Sequence, residues 1–153
     1  MDRLAYLLSR GRSGLYLLSD RQGLTAVARL CRLKGARLFR VDGRDVLTKR
    51  RFLAAAARAL DFPSWFGANW DAFEDCVTDL EWAPAPAYVV LLEQFEAFAK
   101  RAPPAFDTVL RILETAAEFW SEKGVRFQVL VSVRCLESGR PSDADGANPV
   151  PAR

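Results

Sequence analysis

Six apolar residues in a row, Ala87-Tyr88-Val89-Val90-Leu91-Leu92, stand between Pro86 and Glu93. A strand with one wet face alternates apolar and polar side chains. An unbroken run reads instead as a strand buried on both faces, as in parallel sheets with helices above and below. Other segments supply the rest of such a sheet. Residues 14–19 read as a short buried strand, 36–41 as a second that leaves through Asp42-Gly43, and 126–133 as the last. Helical periodicity falls between them. It covers 24–33, ending near Gly35, and 48–60, with Phe52, Leu53, Ala56 and Leu60 inward and Asp61-Phe62-Pro63 as the stop. It returns over 106–123, with Val109, Leu110, Leu113, Ala116, Ala117 and Trp120 in register and Gly124 at the end. Phe95 to Phe98 reads as a helical turn closed by Lys100-Arg101 and Pro103-Pro104. Strand and helix alternate, which predicts one α/β domain with a mainly parallel sheet and right-handed crossovers. At 153 residues and 50% hydrophobic content, the chain can bury one core and not two comfortable ones. Residues 137–153, with Ser, Gly, Pro, Asp and Asn and little to bury, are predicted to form a disordered tail.

The segment that carries chemistry is Trp65-Phe66-Gly67-Ala68-Asn69-Trp70-Asp71-Ala72-Phe73-Glu74-Asp75. Asn69 is a good N-cap, because its side-chain oxygen can accept from a free first-turn amide, and Gly67 before it permits a tight approach. The spacing predicts a helix over 70–80. Ala72, Phe73, Cys76, Val77 and Leu80 fall on one arc and Asp71, Glu74, Asp75, Thr78 and Asp79 on the other. Asp71/Asp75 and Asp75/Asp79 are like-charge pairs, each unfavourable by about 0.2–0.5 kcal/mol, and only Asp71 is near enough to the helix start to be offset there. A solvated acidic face is the plain reading of such a helix. Two features weigh against it. No Lys or Arg occurs from Ala59 to Ala99, although Asp61, Asp71, Glu74, Asp75, Asp79, Glu81, Glu93 and Glu96 lie there. Phe62, Trp65, Phe66, Trp70 and Trp82 accompany these acids, and protein interfaces favour aromatic anchors beside charge.

The net charge of +3 conceals a polarity along the chain. Residues 1–58 carry fourteen Lys and Arg against four acids, and the remainder eight against fifteen. Arg29, Arg32, Lys34, Arg37, Arg40, Arg44, Lys49, Arg50 and Arg51 are candidates for a polyanion-binding half, with a solvated helix face as the even alternative. The chain has no histidine, which removes Ser/His and Cys/His nucleophilic machinery and the commonest metal ligand. It has no Gly-rich phosphate loop either. A carboxylate-dependent hydrolase would rest on Asp71 and Asp75, with Glu74, but such acids normally converge on a cleft from separate elements. No cofactor or metal is expected. Cys31, Cys76 and Cys135 are widely spaced and read as reduced thiols, not a disulfide framework or zinc site. No apolar run is long enough to span a bilayer, and the segment after Met1 is too short for a signal peptide, so a cytoplasmic protein without a membrane partner is expected.

Residues 62–76 resemble the barstar family of ribonuclease inhibitors, whose pattern is an aromatic pair, Gly, any residue, Asn, any residue, Asp-Ala, a large apolar residue, any residue and Asp. The likeness extends over Ala36 to Val133 in family order. It implies a small three-layer α/β domain with a mainly parallel sheet flanked by helices. It divides the chain into a barstar-like domain over 36–136, an N-terminal strand–helix extension of that domain over 1–35 at the sheet edge, and the tail. It also implies that an acidic helix and its preceding loop block the basic active site of a small ribonuclease or nuclease toxin. By position, Asp71 and Asp75 take the acidic roles, with Glu74 and Asp79 beside them; Gly67 and Asn69 shape the loop and cap; Trp65 and Phe66 take the aromatic places. Glu74 and Leu80 depart from the pattern, where aromatic residues are expected, and Phe119 stands where a late-helix acid would assist. The alternative is a nucleic-acid-binding or regulatory module that works through the basic N-terminal half.

Overall fold

The computed structural model describes residues 3–18, 21–132 and 147–149. In chain order the elements are α1 (Arg3–Arg10), β1 (Gly14–Leu18), α2 (Arg21–Lys34), β2 (Arg37–Asp42), α3 (Lys49–Ala59), α4 (Trp70–Val77), β3 (Ala87–Glu93), α5 (Glu96–Arg101), α6 (Pro103–Glu122), β4 (Arg126–Ser132) and β5 (Ala147–Pro149). The sheet runs β2-β3-β4-β1-β5. Its first four strands are parallel, and β5 pairs antiparallel with β1.

The apolar run of β3 lies in the sheet interior between β2 and β4, and its pleat sends alternate residues to opposite layers. Tyr88, Val90 and Leu92 join one core with Phe39, Val41, Phe52, Phe73, Phe98, Leu113, Phe127 and Val129, beneath α3, α4, α5 and α6. Val89 and Leu91 join a second with Leu4, Leu8, Leu18, Val27, Cys31 and Leu130, beneath α1 and α2. An unbroken apolar run is what two such layers require.

Four differences from the sequence reading have physical causes. Helix α1 was not foreseen, yet Leu4 and Leu8 stand one turn apart and both are buried. Gln128 Nε2 donates to the Leu7 carbonyl, and Arg126 donates to the carbonyls of Leu8 and Gly11, so β4 satisfies the helix C-terminus. Strand β1 is not the sheet edge, because β5 lies outside it; apart from β5, the tail predicted to be disordered lies outside the described residues, as does Cys135. Pro103-Pro104 do not close a turn but open α6, where a residue without an N–H costs nothing. Finally, α4 stops at Val77, not Leu80: Thr78 Oγ1 turns back to the Glu74 carbonyl at 2.8 Å, and the chain turns left-handed at Leu80 (φ 48°), which stays buried.

Candidate functional site

Loop 61–69 and α4 form one unit packed on the larger core. Asn69 Oδ1 accepts from the Ala72 amide at 2.7 Å, the expected N-cap. The strained residue before it is Ala68, in the left-handed region at φ 56°, and not Gly67. A Cβ on Gly67 would meet only ordinary contacts, so its absence leaves bare exposed backbone and is not required by packing within the chain. On the inner side of the loop, the Phe62 ring lies 4.8 Å from Phe66 and about as far from Trp82 as from Phe73, at 6.0 and 6.1 Å. Trp82 Nε1 donates to the Leu60 carbonyl. Trp120 Nε1 donates to the Val77 carbonyl at 2.9 Å and ties the end of α4 to α6.

The aromatic set therefore divides. Phe62, Phe66, Trp70 and Trp82 pack against the core, and Trp65 alone of the five stands out, 61% exposed. Trp70 contacts Phe52 and Phe73, and the Lys49 ammonium lies 5.1 Å from its ring centroid. Phe73, Cys76 and Val77 fill the inner face of α4, as predicted. Ala72, placed on that arc, is half-buried.

Asp71, Asp75 and Asp79 are exposed and Glu74 is half-buried. Among the described residues none of the four enters an ion pair. Glu93 behaves otherwise. Its side chain is 12% exposed and accepts from Arg40 Nε at 2.7 Å, so this acid of the cation-free interval is paired with a cation from outside it. Burial, followed by the charges of Asp79 and Asp75, pushes the Cys76 thiol up to about 11. Cys31 is raised to about 11 by burial. Both are free thiols. Among the described residues no group of three or more His, Cys, Asp or Glu is placed to hold a metal ion.

The basic candidates do not form one surface. Arg29, Arg32 and Lys34 lie on α2, and Lys49, Arg50 and Arg51 on α3, on opposite faces of the sheet. Arg40 is held by Glu93, and Arg44 bonds Asp42 through its backbone N–H, Nε and a terminal nitrogen. That pairing holds the Asp42 carboxyl below its ordinary range. Arg37 lies over the Phe39 ring. The sequence reading missed Arg58, which lines a cleft with Arg51 and Arg40; its spacing of seven residues from Arg51 on one helix was the available signal.

A family model described as barstar (barnase inhibitor) matches residues 36–132. No curated protein matches the chain. In fold the chain is similar to the Aeropyrum pernix ORC2 protein in ADPNP–ADP complexes, with a TM-score of 0.58 and 19% identity over 84% of this chain and 37% of that one. It is also similar to a chain of Drosophila ORC bound to DNA, with a TM-score of 0.50 and 16% identity over 86% of this chain and 71% of that one. At these identities the likeness is one of fold, and the chain spans well under half of the first protein's length. No helix among the described residues is long and apolar enough to cross a membrane.

Proposed function

The chain belongs to the barstar family, and from that premise we propose that it is a non-catalytic, cytoplasmic protein inhibitor of a basic ribonuclease. The observation that carries this reading is the face of α4. Two exposed carboxylates, Asp71 and Asp75, line a capped helix and a third, Asp79, lies in the turn just past its end; the three answer no cation within the described chain, and the helix follows a loop whose one outstanding aromatic is Trp65. A soluble surface gains little from such an arrangement, since Asp71 and Asp75 repel one another at i,i+4 on the helix. A nuclease active site supplies what is missing, because it gathers cations to hold phosphates and would accept carboxylates in their place. Long-range attraction would speed the encounter, and desolvated Asp71 and Asp75 would slow the escape. Gly67 leaves exposed loop backbone just before the helix, Asn69 fixes the helix start, and Glu74 extends the acidic surface.

The reading is tested by inhibition of RNA cleavage, with barnase as a defined first probe beside any basic ribonuclease that the chain retains from its source lysate. Equimolar loss of cleavage, weakened by salt and by Asp75→Ala, is expected for the cognate enzyme. A lysate that yields no inhibited ribonuclease would overturn it.

A further inference from the structure

Helix α3 carries Lys49, Arg50, Arg51 and Arg58 and no acid, and among the described residues none of the four enters an ion pair. Between α3 and the edge strand β2 lies an open cleft with Arg40, Arg51 and Arg58 on its sides and Val46, Ala54 and Ala55 among its lining. Arg51 and Arg58 stand two turns apart along one side of the helix, about 10 Å by helical rise. Arg40 meets Glu93 through Nε, which leaves its terminal nitrogens uncommitted on a side chain 51% exposed. Two acids also line the cleft: Asp42 is held by Arg44, and Asp45 opposes the charge of the arginines.

The three cations at the helix start work against their own helix, whereas Arg58 stands in its last turn, where a cation is favoured. Thr48 caps the Arg51 amide, and glutamate at Arg51's place would complete a reciprocal capping box. The chain has arginine there instead, with Lys49 and Arg50 beside it at the positive helix end and no acid in the first turn. All three are exposed; Lys49 lies over the Trp70 ring, but packing does not demand Arg50 or Arg51. The arrangement makes sense as a surface for an anion outside the chain.

We propose that the α3–β2 cleft binds the phosphate backbone of single-stranded nucleic acid, with RNA as the probe, without regard to base sequence. Guanidinium forks match phosphate oxygens, and the small side chains of Ala54, Ala55 and Ala59 in the lining leave room for a sugar–phosphate chain. The lining has no aromatic residue. That removes both base stacking, on which sequence-tolerant binders also draw, and the aromatic anchor that an acidic protein partner would normally need. This surface is separate from the acidic face of α4 and does not depend on the inhibitor reading.

The test is fluorescence anisotropy of a labelled oligouridine of about twelve nucleotides, titrated with the full chain at several salt concentrations from about 50 to 200 mM. Arg51→Glu and Arg58→Glu are each expected to weaken binding about tenfold and to lower the logarithmic salt slope by about 0.7, the share of one phosphate on a single strand. Arg51→Glu should at the same time raise the melting temperature, which separates lost binding from lost fold. Asp75→Ala should leave RNA affinity unchanged or improve it. Absence of binding at the lowest salt, or unaltered binding by both arginine variants, overturns the proposal. So does displacement of the RNA by polyglutamate as effectively as by unlabelled RNA, which would point to a carboxylate-bearing protein surface.

Discussion

Helices α3 and α4 are neighbours built to one plan with opposite outer faces. Each is capped by a side chain that accepts from the third helical amide, Thr48 onto Arg51 and Asn69 onto Ala72. Each sends a phenylalanine into the same core, where Phe52 and Phe73 meet edge to face at 5.4 Å. Outside, α3 bears four cations and no acid, while α4 bears acids and no cation. Burial fixes the inner faces, and hydration would accept almost any mixture of charges on the outer ones. Two single-sign faces in contact through Lys49 and Trp70 are therefore better explained by what lies outside the chain than by folding.

The largest effect expected on this pair comes from the residue they share. Phe52 is 1% exposed and touches Trp70, Phe73, Phe95 and Phe98. Phe52→Ala should lower the unfolding free energy by about 3–5 kcal/mol in denaturant titration; a loss below about 1 kcal/mol would mean that the two helices do not depend on a common core. The caps separate the helices again. Thr48→Ala and Asn69→Ala should each lower stability by about 1 kcal/mol, but only Asn69→Ala should also weaken hold on a ribonuclease. Equal effects of both on the partner would erase the functional difference between the faces. Ala68→Gly should stabilise by about 0.5–1 kcal/mol, since glycine tolerates the left-handed backbone that alanine resists just before the α4 cap. The gentlest probe is Cys76, which is fully buried on the inner face of α4 with its thiol raised to about 11. Its alkylation near pH 8 should proceed only through opening of α4, and a rate like that of a free thiol would show that the acidic helix is not held as described.

Much of this arrangement was legible in the chain. The unbroken run at Ala87–Leu92 specified a two-sided strand, and Asn69 followed by apolar residues at helical spacing specified the start and inner face of α4. What sequence could not give was partnership. Glu93 and Asp79 look alike in a count of acids, yet the register that sets β2 beside β3 brings Arg40 to Glu93, and no cation among the described residues pairs with Asp79. Trp65 and Trp70 look alike as anchors, and only packing against Phe52 and Phe73 separates core from surface. Helix α1 escaped because its eight residues offer two inward leucines, and β4, more than a hundred residues away, satisfies its end. Left-handed turns at Ala68 and Leu80 escaped because neither residue favours them.

The most direct test of the central claim, that the acids of α4 are held for a partner and not for the fold, compares the wild-type chain with Asp75→Ala on the same source lysate. Retained proteins are identified by mass, and both chains are melted in parallel. A small basic ribonuclease kept by the wild type and released by the variant is expected, with about 3–5 kcal/mol of binding lost when one charge of a desolvated pair is removed. Melting of Asp75→Ala should be unchanged or slightly raised, because a like-charge contact is relieved. If Asp75→Ala melts lower, or both chains retain the same proteins, the acidic face is structural or idle and the account is contradicted.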